Sequence, residues 1–231
     1  MVPQHDTRAL QEHLKVSFRE RDLLTQALMH RSYLNEHKEV ELEHNERLEF
    51  LGDAVLELVV TDHLFRTYPD LPEGEMTAFR AALVNTIHLS QVAETMRLND
   101  YLLLSRGEAQ DTGRARQYLL ANAVEAVIGA LYLDQGYDAA KDLIERFLLI
   151  KAPEMNEKKE WIDAKSRFQV IAQDKHGITP TYAILAETGP DHAKRFTSGV
   201  YLRNELIAKG DGNSKQEAEQ AAAESAIVNL S

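Results

Sequence analysis

No cysteine occurs in the 231 residues, which excludes disulfides, thiol nucleophiles and thiolate metal sites and leaves oxygen and imidazole groups for any metal chemistry. A hard cation suits such donors. Long apolar runs are missing as well: nothing approaches the roughly 18 apolar residues that span a bilayer. The start of the chain, with Gln4, His5, Asp6 and Arg8, has no signal-peptide pattern. The expectation is a soluble, cytoplasmic protein with no membrane partner. Proline is sparse through the first 150 residues, confined to Pro3, Pro69 and Pro72, so long helices are free to run there.

Positive charge is also in short supply. The formal net charge is −11, which taken alone argues against a polyphosphate ligand, because such binding draws its affinity from local Lys and Arg. The deficit is uneven. Residues 162–231 carry eight Lys and Arg against nine Asp and Glu, leaving 18 against 28 before them. A concentrated carboxylate excess fits a divalent-cation site, although a solvated acidic surface is the commoner cause.

The length favours two compact units, and 44% hydrophobic residues suffice for a core. Residues 1–150 show apolar positions at helical spacing, predicting an all-α domain. Residues 151–161 (KAPEMNEKKEW) combine a proline with a charge run and read as a linker, or as an extended helix end. Residues 162–231 change grammar. A helical segment 163–175 precedes strand-like runs at 180–187, 195–202 and 205–209, and a helix over 214–230 closes an α-β-β-β-α order. Ser214 is placed to cap the last helix with Glu217 completing a capping box, and Gly210, Asp211, Gly212 and Asn213 are expected to form the turn before it.

The segment HNERLEFLGDAVLEL, residues 44–58, is the most informative. At 100° per residue Leu48, Leu51, Val55 and Leu58 share one face, and Glu46, Glu49, Asp53 and Glu57 gather on the other. Like charges three and four apart destabilise a helix unless solvated or neutralised by a cation. A solvated face is the ordinary explanation, but Phe50 falls among the acids, where its ring would be wasted in water. Gly52 costs roughly 1 kcal/mol in a helix interior unless something approaches closely; a partner surface would explain both. A second helix, LLANAVEAVIGALYL at 119–133, sets Asn122 and Glu125 three residues apart in apolar surroundings, where polar groups need partners. Asn122 is either a satisfied core amide or, if the two helices face one another, a fourth oxygen donor beside Glu49, Asp53 and Glu125 for Mg²⁺ or Mn²⁺.

These residues resemble the ribonuclease III family, specifically its compact bacterial class. NERLEFLGDAVL at 45–56 follows the family signature along its length, joined by LMHRSY at 28–33, EGEMTAFRAALV at 73–84, Gly107 and Glu108, and residues 121–134. The resemblance implies an endoribonuclease that hydrolyses double-stranded RNA, in processing of ribosomal RNA precursors and messenger RNA, leaving staggered ends with 5′ phosphates and 3′ hydroxyls. It implies Glu49, Asp53, Asn122 and Glu125 as metal ligands, with Asp53 and Glu125 catalytic. Glu46, Glu73 and Glu108 would support the strand or the ligand shell, and Phe50 would enter the other subunit of a homodimer. The cofactor implied is Mg²⁺, with Mn²⁺ able to substitute, and no small-molecule cofactor. The pattern usually has Asp where this chain has Asn122, which leaves a catalytically impaired RNA-binding dimer as the alternative reading. A helical phosphohydrolase for small phosphates is a third, for which the tail would be unexplained.

The tail resembles the double-stranded-RNA-binding fold through DAKSRFQ at 163–169, PTY at 180–182, GPDHAKRF at 189–196 and GNSKQEAEQAAAESA at 212–226. By that resemblance Ser166 and Gln169 lie on the RNA face of its first helix and His192 on an inserting loop, with Lys194 a further RNA-binding candidate and Lys215 at the second helix's start. There the free N–H groups and dipole add to its charge. Gln216 stands where a second Lys is common, and Val170 where Glu often follows the Gln, so modest, shape-directed binding is expected.

Overall fold

The computed structural model describes residues 6–159, 161–190 and 194–230. They fall into two compact units, divided between Glu157 and Lys158. The first is helical: α1 (Arg8–Leu14), α2 (Arg21–Ala27), α3 (Arg31–Glu36), α4 (Glu46–Thr67), α5 (Glu73–Val84), α6 (Thr86–Thr95), α7 (Arg106–Gln110), α8 (Arg114–Gln135), α9 (Tyr137–Phe147) and α10 (Ala152–Lys158). Helix α10 occupies most of the stretch expected as a linker, and buries Ala152 and Met155. Those two apolar side chains, three residues apart, give the charged segment a face to dock.

The long helices α4 and α8 pack together at the centre, backbone against backbone. Gly52 and Gly129 make this possible. A Cβ on Gly52 would overlap the Glu125 carbonyl oxygen and stand 2.9 Å from the Gly129 nitrogen, and one on Gly129 would overlap the Leu48 carbonyl oxygen. Gly52 is thus explained within the chain, by α8, rather than by an outside surface. The close crossing also turns α4: its buried positions are Leu48, Gly52, Val55, Leu56, Val59, Val60 and Leu64. Leu58, expected on the apolar face, is 58% exposed. The middle of α8 is buried all round: between Leu120 and Leu131 every residue but Asn122 and Glu125 is buried.

The start of α4 is pinned by polar ties. Asn45, 4% exposed, donates through Nδ2 to the Ala27 carbonyl at 3.2 Å and through its backbone N–H to the Met29 carbonyl at 2.9 Å. Leu103 and His30 exchange further backbone bonds with this segment. Residues 27–30 are thereby held to Asn45 on one side and to Leu103 on the other.

The second unit runs α11 (Ala164–His176), β1 (Thr181–Thr188), β2 (Arg195–Leu202), β3 (Glu205–Gly212) and α12 (Lys215–Leu230). The strands form one antiparallel sheet in sequence order, and its core joins Phe168, Ala172, Val200, Leu202, Ala222, Ala223 and Ala226. Strand β3 is longer than expected and absorbs Gly210, Asp211 and Gly212, so the turn shrinks to Asn213 and Ser214. Those glycines serve close packing: a Cβ on Gly210 would stand 2.7 Å from the Ala221 Cβ, and one on Gly212 2.7 Å from the Glu217 carbonyl carbon, both on α12. Ser214 accepts the Glu217 N–H at 3.1 Å, while the Glu217 carboxylate accepts from Asn213 N–H at 2.8 Å, one residue earlier than a standard capping box.

Candidate functional site

Facing α4 and α8 bring Glu49, Asp53, Asn122 and Glu125 into one electrostatic cluster. Glu125 is held mostly out of water by α8's apolar neighbours. Burial first, then the Asp53 and Glu49 carboxylates, push its carboxyl up to about 8. Glu49 is likewise raised, by burial, then Glu46 and Asp53; the Asn122 side chain opposes this by donating to its carboxylate. An amide nitrogen spent on Glu49 leaves the amide oxygen as Asn122's outward group. Among the described residues, no three His, Asp or Glu side chains already stand in an arrangement that would hold a metal ion. The donor set is nonetheless the kind a hard cation takes: three carboxylates and an amide oxygen, crowded enough that one acid resists ionisation.

Glu46, one turn before Glu49 and exposed, is flanked by Arg31 Nη1 at 3.7 Å and His44 Nδ1 at 3.8 Å. Glu108, on the short α7, has its N–H bound by the Ser105 hydroxyl. Both acids act on His30, whose pKa is nevertheless lowered because burial dominates. The Ser32 backbone N–H can only donate, and it points at His30 Nδ1 at 3.3 Å. Neutral His30 therefore carries its proton on Nε2. His30, Arg31 and His44 were not singled out from sequence, although LMHRSY contains two of them; their signal is tertiary, in the strand-like tie between 28–30 and 103.

Three residues have other surroundings. Glu73 opens α5, exposed, and accepts from the Thr77 hydroxyl at 3.1 Å. It lines a hollow of about 210 Å³ with Thr61, Phe65 and Arg80, two to three turns along α4 beyond Asp53. At 1.5 Å per residue that is on the order of 12 Å or more from the cluster. Glu57, the fourth acid of the expected face, is neutralised by Arg80 at 2.9 Å, which also donates to Thr61. Phe50 is 81% exposed at the rim of an open concavity of about 580 Å³ with Leu23, Leu48, Leu51 and Leu133.

In the second unit, Ser166 and Gln169 are exposed on α11 and line a pocket of about 450 Å³ with Gln216, Gln220 and Tyr182. Asp163 caps α11, accepting from Ser166 N–H and from the Gln220 side chain at 3.1 Å. Lys194 is exposed and Lys215 begins α12. His192 lies outside the described residues.

Comparison with known proteins agrees with this architecture. Residues 20–152 match the Ribonuclease-III-like family and residues 164–230 the double-stranded RNA binding motif. Ribonuclease 3 of Natranaerobius thermophilus is 46% identical over 209 residues, covering 90% of each chain. That of Listeria welshimeri is 44% identical over 221 residues, covering 96% of each. The nuclease domain of ribonuclease III from Campylobacter jejuni superposes with a TM-score of 0.58 at 36% identity, over 64% of this chain and 99% of its own. A small-phosphate hydrolase leaves the second match without purpose, and a binding-only protein is not favoured by relatives that are nucleases. The chain belongs to the ribonuclease III family of double-strand-specific endoribonucleases.

Proposed function

We propose that the α4–α8 cluster is the hydrolytic centre, with Glu49, Asp53, Glu125 and the Asn122 oxygen as ligands of Mg²⁺, or of Mn²⁺ in its place. The observation that carries this reading is Glu125: a carboxyl pushed up to about 8 between two like charges is a site lacking its counter-charge. A bound cation would supply water activation and charge neutralisation at the reacting phosphate. Asp53 and Glu125 flank the reacting phosphate from opposite helices, and Asn122 steadies Glu49. Glu46, next to Arg31 and His44, and Glu108, through the His30 corner, orient the strand from the α3 side. A water oxygen joins phosphorus, the bond from phosphorus to the 3′ oxygen breaks, and that oxygen leaves with a proton, giving a 5′ phosphate and a 3′ hydroxyl.

Two subunits then cut the two strands with a stagger. Exposed Phe50 beside an apolar concavity supports a homodimer in which each ring enters the other's hollow. The Campylobacter jejuni nuclease domain is described by flexibility in a region involved in dimer formation. Glu73, remote from its own subunit's cluster, is read as supporting the RNA strand from α5. The second unit holds the duplex through Ser166, Gln169, His192, Lys194 and Lys215, reading A-form shape rather than sequence. Structured precursors of ribosomal RNA and messengers in the cytoplasm are the substrates that fit. Among the described residues no helix is long and apolar enough to cross a membrane.

The test is cleavage of a perfect RNA duplex with Mg²⁺, with Mn²⁺ and with chelator, with end groups determined. Asp53→Asn and Glu125→Gln are each expected to abolish cutting while duplex binding persists. Undiminished cleavage by either variant, or in chelator, defeats the assignment.

A further inference from the structure

Two lysines of the RNA-binding unit are engaged by carboxylates of the same unit, in different ways. Lys165 is half-buried: its amine lies 2.6 Å from Glu219 on α12 and 4.8 Å from the centre of the Tyr182 ring. Its backbone N–H meets the Gln220 side chain. That lysine joins α11 to α12, and surrendering it to a ligand would strand a partly desolvated carboxylate. Lys215 is the opposite case. Its side chain is 59% exposed and Glu187's 43%, and they meet at 3.1 Å. The amine also sits 5.7 Å from the centre of the Phe196 ring, and Phe196 is Glu187's partner in the β1–β2 pairing. Glu187 therefore stands at the end of β1 where the strand gives way to the 189–194 connection. An exposed pair is worth little and exchanges readily, and a phosphate oxygen makes the same charge-assisted bond with the amine.

We propose that Glu187 is an intramolecular competitor for Lys215, an affinity-setting residue that RNA phosphate must displace; this rests on the reading that Lys215 meets phosphate. On binding, the amine passes from carboxylate to phosphate. The phosphate releases its condensed cation, and the freed Glu187 carboxylate is rehydrated. The cost of opening the pair is subtracted from what the lysine's contact contributes. This gives a physical cause for modest affinity in a domain with few basic groups.

The experiment measures binding of the full chain to a perfect RNA duplex in chelator, so that affinity is read without cleavage, across a series of salt concentrations. Glu187→Gln is expected to tighten binding about two- to fivefold at moderate salt. The slope of log affinity against log salt should shift by well under the roughly 0.9 of a whole phosphate contact, because the competing pair is only screened by salt. Lys215→Gln is expected to weaken binding, and adding Glu187→Gln to it should then restore nothing. If Glu187→Gln leaves affinity unchanged while Lys215→Gln weakens binding, the competition is overturned and the phosphate contact survives. An equal gain from Glu187→Gln in both backgrounds overturns it too, marking a general charge effect. If Lys215→Gln changes nothing, the phosphate contact falls and the competition with it. Both side chains are exposed, and unchanged thermal unfolding of each variant keeps the comparison free of folding effects.

Discussion

Asn122→Asp tests the site through stability as well as rate. In the metal-free protein Asn122 donates to Glu49 and relieves part of the burden that burial, Glu46 and Asp53 place on it. An aspartate there removes the donor and adds a fourth acid beside Glu49, Asp53 and Glu125. Two unit charges about 4 Å apart at an effective dielectric of about 20 repel by about 4 kcal/mol. Part of that is relieved by proton uptake at Glu125, already pushed up to about 8, and part by residual hydration. The net cost is about 1–2 kcal/mol. For a nuclease unit of this size a cost of that order lowers the melting temperature by about 3–8 °C in chelator. Mg²⁺ reverses the sign, because a charged oxygen binds the ion better than an amide and binding to the native state stabilises it. The Mg²⁺-induced rise in melting temperature should therefore be larger for Asn122→Asp than for the parent, and half-maximal cleavage should move to lower Mg²⁺. Thermal scans over a Mg²⁺ series read both effects. A variant as stable as the parent in chelator, with no larger Mg²⁺ response, would show that Asn122 faces neither Glu49 nor the ion.

The raised Glu125 carboxyl makes metal-free stability depend on pH. With its folded pKa at about 8 against 4.5 unperturbed, the unfolded chain gives up its proton first. Stability is fully present below about 4.5 and lost as pH rises to about 8. The nominal loss is about 5 kcal/mol at about 1.4 per pH unit, reduced to about 2 kcal/mol by partial solvation. Melting in chelator from pH 5 to 9 should show the decline, and Glu125→Gln should flatten it; parallel curves would refute the shift. Gly52→Ala is expected to cost about 3 kcal/mol in denaturant unfolding by forcing α4 from α8, and a fully tolerated alanine would mean the helices do not cross there. Phe50→Arg is expected to leave a folded monomer in sedimentation, with cleavage lost and duplex binding weakened; an unchanged dimer would place the interface elsewhere.

Periodicity and punctuation carried the second unit well: β2 occupies the expected residues 195–202 and the helices begin within a residue of their expected starts. The error at 210–213 has a definite cause. Gly210 and Gly212 carry the local mark of a turn, yet here they are strand residues kept small by α12, and only the packed partner distinguishes the two uses. Gly52 failed in the same way, since its neighbour is Glu125's backbone, 73 positions on. That Glu49, Asp53, Asn122 and Glu125 come together was legible because two helical spacings needed only one assumption, that α4 and α8 face each other. The separate fate of Glu57 was not: an acid on the right face is indistinguishable in sequence from its neighbours until Arg80 pairs with it.

The same distinction resolves the charge that opened the problem. A net charge of −11 on an RNA-cutting protein is a contradiction only if every charge counts equally. Some acids crowd one another, as Glu49, Asp53 and Glu125 do, and Glu125 is pushed up to about 8. Others are already balanced by a fixed cation, as Glu57 is by Arg80 and Glu219 by Lys165. Glu187 on Lys215 belongs to neither group, because its partner is exposed and exchangeable. What the duplex meets is set by which pairs it can open, and net charge, summed over all three kinds, carries no information about that.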